Sequence, residues 1–266
     1  MPERTSRTVV AGVTASAIAL VIPLVSAALA FAQDAGQQAG PAGMSAVAIA
    51  LKMERTYREC HSYRDTGEVT SLSITDGGRY GSERPFATAF VRPDRFLFRF
   101  TDTGLGDRSS SYVVWMSGAE VHSWYDAKPG LRTPASLGEA LGVAAGLSSG
   151  SSIRVPGLLL PNLVDGGATL IAPERTEDAS DRDVVCLRIR GQSRKTPYTI
   201  SMGDRTLTVK AETITLWIDR SSFLLRKVEE SRTLDTYRSE TTTTYTPEVN
   251  VAVPDEQLTF SPPTVP

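Results

Sequence analysis

The strongest catalytic pattern in the sequence is Gly146-Leu147-Ser148-Ser149-Gly150, which matches the G-x-S-x-G expression of a nucleophile elbow. That mechanism needs a strand before the serine and a helix after it, whereas here a helical pattern precedes Ser148 and a Ser/Gly-rich loop follows. Both histidines, His61 and His122, precede Ser148, whereas the elbow fold places its histidine last. A flexible loop is therefore the favoured interpretation. A secreted serine hydrolase using His122, Asp126 and Ser148 remains an alternative.

The other polar clusters lack the patterns of known sites. The acidic cluster of Glu177, Asp178, Asp181 and Asp183 has neither the glycine nor the distal bidentate carboxylate of a calcium loop, so it predicts a solvated turn before a strand at Val184. The two histidines and two cysteines do not favour a transition-metal site, and no G-x-G-x-x-G or G-K-[ST] phosphate loop occurs. We therefore expect no metal, no cofactor and no enzymatic activity.

The N-terminal residues have the layout of a secretory signal peptide. Arg4 and Arg7 are followed by the uncharged stretch Val9–Phe31, and Ala30-Phe31-Ala32 offers an A-x-A cleavage site. The sequence predicts cleavage after Ala32 and a periplasmic protein, with extracellular export as an alternative and a retained membrane anchor as the competing interpretation. Residues 33–43 read as a flexible lead and residues 44–266 as a single domain.

Export bears on the two cysteines, Cys60 and Cys186. An oxidising compartment predicts a disulfide between them, which would stabilise the fold by roughly 4–5 kcal/mol, and two buried thiols are the alternative. The formal net charge of −2, with both signs interspersed, gives no electrostatic reason to bind nucleic acid.

The elements around these residues are mostly strands. Alternation in Ala211–Glu230, with a polar break at Asp219–Ser222, predicts an antiparallel hairpin, and further short strands with turn residues between them indicate an antiparallel meander. Ser45–Glu59 is expected to be a helix capped by Ser45, with Val47 and Leu51 in its apolar half. Leu137–Leu147 is expected to be a short helix.

Two apolar groups stand out within these elements. Phe96, Phe98 and Phe100 share one face of a strand, and Leu158, Leu159 and Leu160 lie between two prolines. Three exposed leucines would be a liability, so we expect them to cover apolar surface of the chain or of a ligand. Trp115 and Trp217 are core candidates, with a place in a cavity wall as the alternative.

Three segments resemble the periplasmic lipoprotein-carrier superfamily, the LolA-like proteins. The segment 90–98 is similar to the family's Arg-Pro segment and following aromatic strand, 113–125 to its hairpin with an aromatic pair, and 258–263 to its Phe-x-Pro-Pro close. The resemblance implies a mainly β (α+β) fold. It consists of a curved antiparallel sheet or incomplete β-barrel, with an N-terminal helix and short lid helices over an apolar cavity.

The resemblance also implies a function. Acyl chains of a lipid or lipoprotein would enter the cavity, Arg92 would hold the lid closed by hydrogen bonds, and the segment 137–163 would form the lid. The expected binding residues are Arg92, Phe96, Phe98, Phe100, Trp115, Leu158, Leu159, Leu160 and Trp217. The expected protein is a monomeric carrier of lipid or lipoprotein. The main alternative is a sensor or interaction module of the same fold with a membrane-protein partner.

Overall fold

The computed structural model describes residues 43–102, 109–165, 170–202 and 205–263. Its first helix, α1, spans Ala46–Glu59 and begins at the predicted cap, where the Ser45 hydroxyl accepts a hydrogen bond from the Ala48 amide at 3.2 Å. The buried face of α1 carries Ile49, Met53 and Tyr57. Val47 and Leu51, expected in the apolar half, are more than half exposed, so that part of the prediction was wrong.

Twelve strands form one antiparallel sheet. They are β1 (Ser62–Thr75), β2 (Gly78–Val91), β3 (Arg95–Asp102), β4 (Ser110–Ser117), β5 (Glu120–Tyr125), β6 (Ile171–Asp181), β7 (Val184–Gln192), β8 (Tyr198–Met202), β9 (Arg205–Asp219), β10 (Leu225–Leu234), β11 (Arg238–Tyr245) and β12 (Glu248–Val249). Short connections between sequence neighbours explain most of the pairing.

The sheet is open. Its main path runs β5-β4-β3-β2-β1-β11-β10-β9-β7-β6, with β12 paired to β1 and β8 paired to β9. The two ends, β5 and β6, do not pair in the part of the chain that the structure describes. The predicted mainly β class, an antiparallel sheet not closed into a barrel and accompanied by a few helices, is confirmed.

Two further helices interrupt the strands and pack together on one face of the sheet. Helix α2 spans Leu137–Leu147, as predicted, and its Ser136 cap accepts a hydrogen bond from the Glu139 amide at 3.1 Å. Helix α3 spans Ser151–Leu159 and contains Pro156. We call the face of the sheet under α1, α2 and α3 the covered face and the opposite one the outer face.

The covered face holds the main hydrophobic core, with side chains from every second strand residue and from the three helices. Gly67 on β1 is essential to this packing because a Cβ atom there would stand 2.3 Å from both the Phe86 ring and the Thr244 carbonyl oxygen. The missing side chain lets the Phe86 ring lie across β1 against Tyr245, with the ring centroids 5.5 Å apart.

A smaller apolar cluster occupies the outer face. Leu97, Val113 and Trp124 are buried there, and Trp115 and Phe260 pack against them. Phe260 belongs to the C-terminal segment, which also contains a short 3-10 helix, Asp255–Gln257. The Arg95–Asp255 ion pair at 2.9 Å helps to hold this segment on β3.

The acidic segment at Glu177–Asp183 differs from its prediction. Strand β6 continues to Asp181, and the turn consists of Arg182 and Asp183, both with positive φ angles, 46° and 67°. Cross-strand pairing with β7 orders these acidic residues, whereas composition alone favoured a turn.

The described residues belong to one compact unit, Gly40–Pro266. The predicted signal peptide, residues 1–32, and all of the predicted lead up to residue 42 lie outside the described residues. Within the described ranges, none of the helices combines the length and apolar character that a membrane crossing needs.

Candidate functional site

Arg92 joins three parts of the covered face. It follows the last residue of β2, and its Nε donates a hydrogen bond to the Cys60 carbonyl oxygen at 2.7 Å. Its Nη2 donates to the carbonyl oxygens of Tyr57 at 3.2 Å and Leu159 at 3.1 Å. The guanidinium carbon also lies 5.1 Å from the centre of the Phe90 ring.

The position of Arg92 suits the helix ends that it contacts. Tyr57 and Cys60 are at the C-terminal end of α1, and Leu159 is the last residue of α3. Carbonyl groups at the C-terminal end of a helix lack intrahelical partners and carry the negative end of the helix dipole. A guanidinium with several donors can bond to these carbonyl groups, and its positive charge interacts favourably with the dipole. The expected contact between Arg92 and the covering segment is therefore present, and its role as a latch stays a prediction.

The predicted phenylalanines and leucines meet in the same core. Phe96, Phe98, Phe100 and Leu159 are at most 1% exposed, and Leu158 and Leu160 are 5% and 7% exposed. Neighbouring rings form a row, with 6.1 Å between the centroids of Phe86 and Phe98 and 6.5 Å between those of Phe98 and Phe100. Helix α3 thus adds its leucines to the core that the aromatic row also lines, as expected.

Polar contacts fix α2 and α3 on the sheet at three further points. The Tyr112 hydroxyl donates to the Ala140 carbonyl oxygen at 3.2 Å. The hydroxyls of Ser149, between the helices, and Ser71, on β1, are 3.1 Å apart. Arg154 of α3 and Glu230 of β10 form an ion pair at 3.1 Å, with side chains that are 13% and 9% exposed.

The structure places Trp115 and Trp217 on the outer face. Trp115 lies beside Phe260, with centroids 5.2 Å apart. Trp217 alternates with Leu216 and Ile218 of the main core, and Lys227 Nζ stands 3.5 Å from its ring centre. These tryptophans are not brought together with Arg92 and the leucines, so the site proposed below does not include them.

The predicted disulfide was wrong, because Cys60 and Cys186 are both free and buried. The Cys60 thiol donates to the Tyr57 carbonyl oxygen at 3.1 Å, and the Cys186 thiol to the Val184 carbonyl oxygen at 3.6 Å. Burial raises the pKa of both thiols, that of Cys186 to about 11. Each cysteine therefore acts as a small core residue with a locally satisfied S–H group.

The residues of the hydrolase alternative make separate contacts. Ser148 is fully buried and its Oγ accepts a hydrogen bond from the Ser152 amide at 3.3 Å. His122 Nε2 lies 3.5 Å from Glu120, and Asp126 Oδ2 accepts from the Ser111 amide at 2.7 Å. Ser148 is the residue that ends α2, and its hydroxyl links that end to the first turn of α3. The Ser/Gly stretch expected to be a loop is partly helical, because α3 begins at Ser151.

One polar cluster in the core was missed by the sequence reasoning. The Asp65 carboxylate is 5% exposed and accepts hydrogen bonds from the Tyr63 hydroxyl at 2.8 Å and the Thr88 amide at 3.0 Å. Burial raises its pKa to about 6. Among the residues that the structure describes, the buried Tyr245 hydroxyl has no hydrogen-bond partner. Alternation with Tyr63 and Val69 on β1 was the available signal, since it places Asp65 on the apolar face.

A second network surrounds Glu212 on β9, whose side chain is fully buried. Its carboxylate accepts hydrogen bonds from the Ser193 amide, the Ser193 and Tyr198 hydroxyls and Arg232 Nε, at 2.7 to 2.9 Å. Burial alone would raise the pKa of Glu212, but these donors together lower it to about 2. Glu212 therefore stays ionised and ties β8, β9 and β10 together.

No group of three or more His, Cys, Asp or Glu side chains suited to a metal ion occurs among the residues that the structure describes. The polar groups on the covered face are instead directed at helix ends and strand neighbours. These polar groups can therefore hold the helices over the apolar covered face.

No protein-family model matches the sequence, and comparison with curated proteins gives no match. Among solved structures, the chain is similar to a LolA superfamily protein from Nitrosomonas europaea (12% identity, 82% of this chain and 98% of that chain covered, TM-score 0.31). It is also similar to a putative outer membrane lipoprotein-sorting protein domain from Vibrio parahaemolyticus (10%, 79% and 94%, TM-score 0.35) and to LprF from Mycobacterium bovis (10%, 77% and 93%, TM-score 0.38).

The first of these structures bears the name of the superfamily to which the sequence segments are similar.

Proposed function

We propose that this protein is an exported carrier that shelters acyl chains of a lipid or lipoprotein between the covered face of its sheet and a lid formed by α2 and α3. The observation that carries the proposal is the set of hydrogen bonds from Arg92 to the ends of α1 and α3. A single side chain at the end of β2 thereby couples the closure of the lid to the sheet.

The surface under the lid has the right chemistry for an acyl chain. The aromatic row of β2 and β3 and the leucines of α3 fill the space with apolar side chains. In this proposal, that packed arrangement is the closed form of the carrier. When α3 moves away, the same surface becomes available to a hydrocarbon chain. Burial of an acyl chain gains about 0.8 kcal/mol per methylene group, which offsets the loss of the lid's own packing.

The lid helices are built from residues that weaken helices. Helix α2 contains Gly138, Gly142 and Gly146, and helix α3 contains Pro156. Gly142, in the interior of α2, costs about 1 kcal/mol relative to alanine, and a proline within a helix removes one backbone hydrogen bond. The lid therefore depends on its contacts with the sheet and on the ties at Ser71–Ser149 and Arg154–Glu230.

A reversible cross-link tests whether the lid must move. The Oγ atoms of Ser71 and Ser149 are 3.1 Å apart, so the double variant S71C/S149C places two thiols in position to bridge β1 and the lid. The matched control is T101C/S111C, because these hydroxyls are 3.3 Å apart on strands β3 and β4, which are already paired.

Loading is measured with a fluorescent fatty-acid probe, in oxidised and reduced samples of each variant. The oxidised lid variant should not load the probe and should regain loading on reduction, whereas the control variant should load equally in both states. Equal loading by the oxidised and reduced lid variant would contradict the proposal. Mass spectrometry of the purified protein adds a second readout: copurified lipid supports a carrier, whereas a copurified membrane protein without lipid supports the sensor alternative.

A further inference from the structure

A pocket of about 340 Å³ opens on the outer face of the sheet, opposite the proposed lipid site. It is lined by β1, β2, β3 and the C-terminal segment, and its volume lies within the range of about 300–1,000 Å³ that is usual for small-ligand sites. The lining side chains include Ala87, Ala89, Leu97 and Arg99, which alternate along their strands with the phenylalanines of the main core. The sheet itself therefore separates this pocket, the outer pocket, from the covered face.

The outer pocket has an apolar floor and an anchored wall. The small side chains of Ala87 and Ala89 form the centre of the pocket floor, and buried Leu97 lies beside them. The wall is formed by the C-terminal segment, which is tied down where Asn250 Oδ1 accepts a hydrogen bond from the His61 amide at 2.8 Å. Its other end is held by the packing of Phe260 in the outer apolar cluster. The pocket is thus part of the folded architecture.

The two arginines of the outer pocket differ in their partners. Arg64 forms a two-point ion pair with Glu248, with distances of 3.1 and 2.9 Å, so its donors are engaged. Arg99 stacks over the Phe260 ring at 5.4 Å. Within the described ranges, Arg99 has no hydrogen-bonding or ion-pair partner. The N–H groups of its planar guanidinium are therefore available for the two parallel hydrogen bonds that a carboxylate can accept.

The remaining charges restrict the ligand. Glu248 and Glu256 line the same pocket, so on the outer face the charges of the two arginines and the two glutamates balance. Asp65 also borders the pocket, but its carboxylate is buried on the covered face, where it accepts hydrogen bonds from the Tyr63 hydroxyl and the Thr88 amide. A ligand with two or more negative charges, such as inorganic phosphate, would be repelled by the glutamates. A monoanion needs only the one unpaired guanidinium, and an apolar body fits the alanine and leucine floor.

We propose that the outer pocket binds a small monocarboxylate, with its apolar body on Ala87, Ala89 and Leu97 and its carboxylate on Arg99. This site goes beyond the proposed carrier function and does not depend on it, because the lipid site lies on the other side of the sheet.

The test uses the exported protein with ¹³C-labelled alanine methyl groups and hexanoate as the probe. Ala87 and Ala89 report on the outer pocket, while Ala140 and Ala144, on the buried side of the lid helix α2, report on the covered face. Hexanoate should shift the Ala87 and Ala89 signals in a saturable way. The uncharged analogue 1-hexanol should bind about tenfold more weakly or worse, because it cannot use the charge of the guanidinium.

Two variants complete the test. Arg99→Gln should weaken hexanoate binding by about tenfold or more, whereas Arg190→Gln, at another exposed arginine of a strand outside the pocket, should leave it unchanged. Unsaturable shifts, equal binding of hexanol, or equal effects of the two variants would overturn the proposal. Hexanoate shifts at Ala140 and Ala144 in place of Ala87 and Ala89 would also overturn it and would instead place the ligand under the lid.

Discussion

Replacing Arg92 with leucine should open the lid while the sheet stays folded. The variant keeps an apolar side chain against Phe90 but loses all three hydrogen bonds to the ends of α1 and α3. A hydrogen bond from a charged group contributes about 1.5–3 kcal/mol. The loss of the bond to Leu159 alone should therefore shift the equilibrium between closed and open lid by roughly tenfold to a hundredfold.

The bonds to Tyr57 and Cys60 add a second, separable effect. They hold α1, so their loss should lower the free energy of unfolding by roughly 3 kcal/mol, measured by urea denaturation. Opening of the lid is measured by hydrogen exchange of the α3 amides, which should lose protection by the same tenfold to hundredfold factor. Loading of a fluorescent fatty-acid probe should become faster to a similar extent.

Two controls separate the latch from a general effect of losing an arginine. Arg92→Lys keeps the charge, but its single nitrogen cannot occupy both the Nε and the Nη2 positions, so it should lose at least one of the three hydrogen bonds and lie between leucine and the wild type. Arg95→Leu removes an exposed ion pair with Asp255, which is worth at most ~1 kcal/mol, and should leave α3 protected. If Arg92→Leu loses stability but keeps wild-type exchange in α3 and wild-type probe loading, Arg92 is a structural residue and the latch is refuted.

The buried carboxylates should respond to pH in opposite directions. Burial raises the pKa of Asp65 from 3.8 to about 6, so its charged form destabilises the fold at neutral pH. Asp65→Asn should therefore raise the free energy of unfolding by up to roughly 3 kcal/mol at pH 8 and by little at pH 3.5. Burial alone would raise the pKa of Glu212, but its hydrogen bonds lower that pKa from 4.5 to about 2. Glu212→Gln should therefore lower the free energy of unfolding by roughly 3 kcal/mol at pH 7 and by little at pH 2. Denaturant titrations across this range check both, and equal effects at both pH values would contradict the assigned causes. Thiol labelling should find Cys60 and Cys186 unreactive in the native protein and two reactive thiols after unfolding without reductant; one disulfide and no free thiol would contradict the buried-thiol structure.

The sequence by itself determined the features that depend on short stretches of chain. Alternation put Phe96, Phe98 and Phe100 on one face of β3, and Ser45 marked the start of α1 as its cap. These features follow from backbone geometry and local hydrogen bonds, which neighbouring residues settle without help from the rest of the fold. The resemblance of short segments to the LolA-like proteins added the expectation that Arg92 contacts a covering helix, and the structure has that contact.

Only the tertiary structure decided which surfaces meet. Helix α1 carries two apolar stripes, and the sheet buries the one with Ile49, Met53 and Tyr57 while Val47 and Leu51 stay exposed. Trp115 lies on the opposite face of β4 from Val114 and Met116 of the main core, and only the folded chain brings the C-terminal Phe260 to cover it there.

The same limit explains the two errors about isolated polar groups. Whether Cys60 and Cys186 meet depends on how the end of α1 is placed relative to β7, which composition and compartment do not reveal. Alternation places Asp65 on the same face of β1 as Tyr63, but the burial of its carboxylate comes from the folded structure, in which Tyr63 and the Thr88 amide of the next strand supply its hydrogen bonds. Burial depends on every element that packs over a residue, so long-range contacts fix it and local sequence does not.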